Sequence, residues 1–155
     1  MIRFHVQAIG DAREGAKRIL SAVRDPMRLR VTPAAEEVAL LTSRATTPFP
    51  VAERFGLTAQ MRAAAVSIGS NICEGCGATG DRAFIPFLHH ALSSASELEF
   101  QCRISSRLKF GDAEELNELL IQIAKLKRQI AKLIVAIRRR LSKTETKRRV
   151  AKNCL

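Results

Sequence analysis

The residues with the most chemical potential in this chain lie together in Cys73-Glu-Gly-Cys-Gly-Ala-Thr-Gly80. Cys73 and Cys76 form a C-x-x-C pair, the spacing of zinc half-sites and of thioredoxin-like redox centres. Gly75, Gly77 and Gly80 form a G-x-G-x-x-G, the spacing of dinucleotide-binding turns. Such a turn needs a strand before its first glycine, a helix after its last and a parallel sheet around both. Here the preceding MRAAAVSIGSNI carries helical periodicity, and no segment of the chain alternates apolar and polar residues between hairpin turns. The glycines are expected to cap one helix and loosen the entry to the next, with no cofactor implied.

The cysteine pair supplies only half of a tetrahedral zinc site. Its candidate completing ligands are His5, His89, His90 and Cys102, and adjacent histidines on a helix point about 100° apart. A redox thiol gains from a helix N-terminus, whereas these thiols are expected at a helix C-terminus, where the dipole disfavours the thiolate. The sequence thus predicts no bound metal, with Cys73 packed inside as a small apolar residue. Glu97 and Glu99 stand two apart and face different directions on a helix, which suits ion pairs better than acid–base work. Ser93, Ser94 and Ser96, beside Ala91 and Ala95, suit close helix approach. No catalytic set emerges, and the chain is expected not to be an enzyme.

The elements that would carry these residues are helices. The 155 residues, 46% hydrophobic but only 5% aromatic and without Trp or Tyr, predict one domain with an aliphatic core. The clearest helix spans about Asp112 to Leu141, where Leu116, Ile123, Ile130 and Ile137 recur every seven residues. Leu119, Leu126 and Leu133 are interleaved, and Leu120, Ile134 and Leu141 widen the stripe. Asp112 followed by Glu115 marks its start. A second long helix is predicted from about Asp81 to Leu108, with Phe84, Leu88, Ala91, Ala95, Leu98 and Cys102 on one face. Pro86 must fall in its first turn or kink it, and Lys109-Phe-Gly111 closes it. A third spans about Thr58 to Cys73, with Leu57, Met61, Ala65, Ile68 and Ile72 aligned, and a shorter one Ala34 to Arg44. Ala12 to Val23 has weaker helical character, interrupted by Gly10, Gly15 and Pro26. The predicted architecture is an all-α, antiparallel up-and-down four-helix bundle over 32–142. A loosely ordered N-terminal extension, 1–31, precedes it and a basic C-terminal tail, 143–155, follows.

Charge is concentrated at the two ends. The formal net charge is +11; residues 1–31 contribute a surplus of four, residues 138–155 a surplus of seven, and 32–137 balance to zero. On the last helix Lys125, Lys132 and Arg139 repeat every seven residues, with Arg128 and Lys143 on the same face and Arg140 beside it. Lys125, Arg128, Lys132, Arg139, Arg140 and Lys143 are the candidate nucleic-acid-binding residues, since phosphate contacts require only such cations. Without Tyr or Trp to stack on bases, binding is expected to tolerate sequence. A solvated, solubilising face is the competing reading. The sequence shows neither a signal-peptide-like apolar run nor a membrane-length one. With four unevenly spaced cysteines read as reduced thiols, it predicts a cytoplasmic protein.

Two segments also carry a family likeness. FPVAERFGLTAQMRAAAVSIGSNICEGCG (residues 49–77) and FIPFLHHALSSASELE (residues 84–99) resemble the bacterial four-helix-bundle proteins encoded in 23S ribosomal RNA intervening sequences. The match includes Phe49, Pro50, Glu53 to Leu57, Ser67, Ile68, Ser70, Asn71, Ile72, Glu74 and Gly75, then Ala91, Leu92, Ser94 and Glu97 to Glu99. It extends over about Ala34 to Ile137. Gly69 stands where that family usually has Pro, Cys73 where it has Ala, and Pro86 where it has a helix-compatible residue. The resemblance implies a ring-shaped homopentamer with no established enzymatic activity. Relatives in diversity-generating retroelements are accessory proteins that bind nucleic acid and a reverse transcriptase through positive surface. Two functions follow as expectations: a non-catalytic oligomer that binds RNA or DNA, or an adaptor that docks a partner such as a reverse transcriptase without binding nucleic acid itself.

Overall fold

Apolar residues at three- and four-residue spacing organise this chain into helices, and the caps between them set where each one turns. The computed structural model describes residues 24–153; the helical stretch expected at Ala12 to Val23, and His5, lie outside the described residues. A 3-10 turn, Pro26–Arg28, leads into α1, Val31–Ala45. A second 3-10 turn, Val51–Glu53, precedes α2, Leu57–Gly77, and then come α3, Gly80–Leu108, and α4, Ala113–Asn153. Among the described residues there is no strand. Each helix packs on its neighbour in sequence and α1 closes against α4. The short connections make successive helices antiparallel, giving the up-and-down four-helix bundle that the periodicity predicts.

The predicted stripes form its core. Phe84, Leu88, Ala91, Ala95, Leu98 and Cys102 of α3 are wholly buried, as are Met61, Ala65, Ile68 and Ile72 of α2. From α4 come Leu116, Leu119, Ile123, Leu126, Ile130, Ile134 and Ile137. Burying each Leu, Ile, Met or Phe side chain among them contributes roughly 1.5–3 kcal/mol, so these faces outweigh any local preference in fixing the bundle.

The turns are specified as closely as the core. Asp112 Oδ1 accepts from the amides of Glu114 and Glu115, both at 2.9 Å, and so caps α4. Lys109 and Gly111 adopt left-handed φ values of 57° and 74° to close α3. A side chain at Gly111 would meet Phe49 and the Ala45 carbonyl within 3 Å. Phe49 stacks obliquely on Phe110, centroids 5.9 Å apart, and pins the α1–α2 loop to this corner. Glu53 Oε2 accepts from the Leu57 amide at 3.0 Å and so serves the amino end of α2.

Several boundaries differ from expectation. The first helix begins at Val31, before Pro33, because a proline in the first turn lacks only an amide that would be unpaired anyway. Pro86 lies beyond the first turn, and α3 runs through it. The residue is exposed, and the carbonyl four residues earlier belongs to exposed Arg82. The last helix passes Leu141 and continues to Asn153. Its final turns hold good helix formers and basic residues suited to a C-terminal dipole. An ion pair from Arg82 to Glu145 ties them to the bundle.

Candidate nucleic-acid interface

The opening cysteine motif resolves into helix. α2 runs to Gly77, so Cys73 and Cys76 occupy its last turns, and Gly75 and Gly77 lie inside the helix, not beyond it as expected. Cys76 sits four residues past Ile72, takes the next place on the buried stripe and is wholly buried. Cys73, expected inside, is exposed, because it falls about 100° from Ile72 around the helix. Burial pushes the Cys76 thiol up, with the neighbouring Cys73 adding to it. Burial likewise pushes Cys102 up to about 11, and its thiol donates to the Leu116 carbonyl at 3.4 Å. Among the described residues no three His, Cys, Asp or Glu side chains converge to hold a metal ion.

The other candidate groups hold the bundle together. Glu99 receives Arg103 at 2.6 Å on its own helix and Lys127 of α4 at 2.9 Å. Those two hydrogen bonds, Arg103 first, hold its carboxyl below the usual range. Glu97 accepts from the Gln101 amide at 3.1 Å. Arg138 donates to His89 Nε2 at 3.1 Å on the exposed surface. Ser67 and Ser94, on facing helices, bring their hydroxyls within 2.9 Å, and Asn71 donates to both the carbonyl and the hydroxyl of Ser67.

The basic residues of α4 arrange differently. Lys125, Arg128, Lys132, Arg139 and Lys143 are all exposed. At 100° per residue they share a face roughly opposite the Leu116–Ile137 seam and extend over about 27 Å. None of the five has an ion-pair partner among the described residues, and no acidic residue lies between Glu118 and Glu145. Arg140 departs from the group: it turns toward α3, where its Nε stands 3.5 Å from Asp81 Oδ2. Between Lys132 and Arg139 the face holds a shallow apolar trough of about 320 Å³, formed by Ala131, Val135 and Ala136.

The N-terminal basic residues are partly fixed as well, which the sequence alone did not indicate. Arg24 forms an ion pair with Asp81, lies 4.8 Å over the Phe84 ring, and donates its backbone amide to the Cys76 carbonyl at 3.0 Å. Arg28 and Arg30 are carried on the turn just before α1 and border a groove of about 660 Å³ that reaches Lys132 on α4. The local signals for this turn were Asp25-Pro26, with Asp25 accepting from the Met27 amide at 3.0 Å.

Among the described residues no helix is long and apolar enough to cross a membrane. Comparison with known proteins places these features in a context. Residues 27–132 match the family described as 23S rRNA-intervening sequence protein. No curated protein sequence matches significantly. Among solved structures, a protein of unknown function from the S23 ribosomal protein family of Bacteroides thetaiotaomicron is similar, with a TM-score of 0.61 and 24% identity. The likeness covers 67% of this chain and 97% of that one and concerns the fold alone.

Proposed function

The chain belongs to the 23S rRNA-intervening sequence protein family, and we propose that it is a non-catalytic, homo-oligomeric protein that binds RNA or DNA with little regard to sequence. The observation that carries this reading is the outer face of α4. Five exposed cations over about 27 Å, without an ion-pair partner among the described residues, match the requirement of a phosphate backbone, which is charge at repeated intervals. A face maintained merely for solubility needs no such segregation, since mixed charges serve as well. Three free cysteines among the described residues accord with a reducing, cytoplasmic setting.

Self-association, as a pentamer, is part of the same proposal. Val51 and Phe55 are 87% exposed on the α1–α2 loop, and Phe100 and Leu108 are more than half exposed on α3. Large apolar residues held open to water at separate places on one chain suit a head-to-tail ring, in which unlike patches meet. Such a ring repeats the cationic face around its circumference.

Anisotropy titrations with RNA and DNA oligonucleotides of unrelated sequence test the proposal. Comparable affinities that decline with added salt are expected; absence of binding at low salt rejects it. The apolar trough of Ala131, Val135 and Ala136 favours a second reading, an adaptor that docks a protein partner such as a reverse transcriptase. On that reading the isolated chain binds no nucleic acid, and Val135→Asp abolishes partner capture.

A further inference from the structure

We propose that the groove between the Pro26–Arg28 turn and α4 is a separate phosphate-binding site that receives one or two nucleotides of a single strand where it leaves the helical face at Lys132. The inference rests on the nucleic-acid reading of α4 and adds to it a site that this helix shares with the turn before α1.

Three cations border the groove: Arg28 and Arg30 from the turn, and Lys132 from α4. Lys132 belongs to both the groove and the trough that leads to Arg139, so the two surfaces are continuous. Among the described residues no acidic side chain lines the groove. Arg28 pairs with Asp25 at 3.5 Å, but its side chain is 87% exposed. A pair so open to water contributes little and exchanges readily for a phosphate. Guanidinium forks bind phosphate oxygens two at a time, which suits them to this ligand better than a single carboxylate contact would.

The site is built on a fixed support. Leu29 donates its amide to the Pro26 carbonyl at 3.0 Å, and Thr32 Oγ1 donates to the same carbonyl at 2.7 Å. These bonds hold the turn that presents Arg28 and Arg30, so binding does not first have to order a loose segment. Beneath the cations, Leu29 and Leu133 pack partly buried against the core and give the groove an apolar floor. Gln129 adds a neutral donor and acceptor at the wall. An unpaired base can lie on that floor with its phosphate among the cations, whereas a duplex keeps its base faces stacked inside. The combination points to a single strand.

The test compares a labelled oligo(U) strand with a duplex of equal length, binding to the parent, to an Arg28→Gln/Arg30→Gln variant, and to a Lys125→Gln/Arg139→Gln/Lys143→Gln variant. Arg30 makes no side-chain cap bond to α1, so the first variant is expected to keep the parent's circular dichroism and melting temperature. It should bind the single strand about tenfold more weakly, with the salt slope reduced by roughly 1.4 for two lost phosphate contacts. Its duplex affinity should change less than about twofold. The α4 variant should weaken both ligands. Unchanged single-strand binding in the arginine variant overturns the groove while leaving the α4 reading intact. Equal loss on strand and duplex overturns the single-strand assignment. Displacement of the strand by polyglutamate at equal charge as effectively as by unlabelled strand also overturns it, in favour of an acidic protein ligand. A parent that binds neither nucleic acid at low salt overturns both this inference and the proposed function.

Discussion

Gly75 lies beneath Phe84 so closely that a Cβ on the glycine would stand 2.5 Å from the ring. The same Cβ would be 2.7 Å from Cβ of Phe87, so α2 and α3 meet here with backbone against aromatic side chains. Phe84 is wholly buried and has no room to retreat. Gly75→Ala is expected to destabilise the bundle by about 1–3 kcal/mol through overpacking. Gly77, with no atom within 4 Å of its would-be Cβ, is the control: Gly77→Ala should be neutral or stabilise by up to about 1 kcal/mol. Urea denaturation of the two variants checks this, and equal midpoints would contradict the close approach.

Glu99 couples α3 to α4 through Lys127 and is held ionised by Arg103 and Lys127. Its carboxyl lies below the ordinary value of 4.5. The stabilisation is therefore complete above the unfolded-state value and is lost as pH falls through the lower folded-state value. Glu99→Gln should cost about 1 kcal/mol at pH 7, a figure already discounted for partial exposure. The difference from parent should shrink in acid. A gap that stays constant down to pH 3 in paired denaturation curves would refute the ion-pair account.

The two cysteines of the C-x-x-C pair should behave oppositely toward alkylation. With Cys154, which lies outside the described residues, replaced by Ser, one thiol should react rapidly at pH 7.5: exposed Cys73. Cys76 and Cys102 are buried with raised thiols and should react only after denaturation. Two fast-reacting thiols in the folded protein would show the register of α2 to be wrong. The pair also has no third ligand nearby among the described residues, so elemental analysis should find no stoichiometric zinc. One zinc per chain that disappears in Cys73→Ser would contradict this.

Much of this architecture was legible in the sequence because it depends on periodicity. The heptad stripe of α4, the Asp112 cap and the Lys109–Gly111 corner all follow from local residue types, and each is found where those residues stand. The cysteine register was legible too, since Cys76 continues Met61, Ala65, Ile68 and Ile72 at the next four-residue step. It was obscured by the assumption that glycines must end a helix. Gly75 is instead required by Phe84 from the following helix, a contact between elements that no local pattern of α2 reveals. The same limit hid the groove. Arg28 and Arg30 come near Lys132, about 100 residues away in sequence, only because α1 packs against α4. The five-cation face was visible because it lies on one helix; the departure of Arg140 toward Asp81 was not, because its partner is on another.

The exposed loop residues Val51 and Phe55 make self-association directly testable. Light scattering should return five times the 17.1 kDa chain mass. Val51→Asp/Phe55→Asp should shift it toward the monomer while retaining helical content, because both residues project away from the core. A parent of monomer mass at micromolar concentration would contradict assembly. An unchanged mass in the variant would move the interface elsewhere.

The central claim, that the outer face of α4 binds nucleic acid through its cations, is tested most directly by the salt dependence of binding in the parent and a Lys132→Gln/Arg139→Gln/Lys143→Gln variant. The parent's affinity for RNA and DNA should fall roughly tenfold or more between low and physiological ionic strength, as counterion release requires. The variant should bind all sequences more weakly to about the same degree, with a shallower salt slope and an unchanged melting temperature, because the three positions lie off the apolar seam. Parental affinity and slope retained in the variant, or no binding by the parent at low salt, would contradict the claim and leave the face a solvated one.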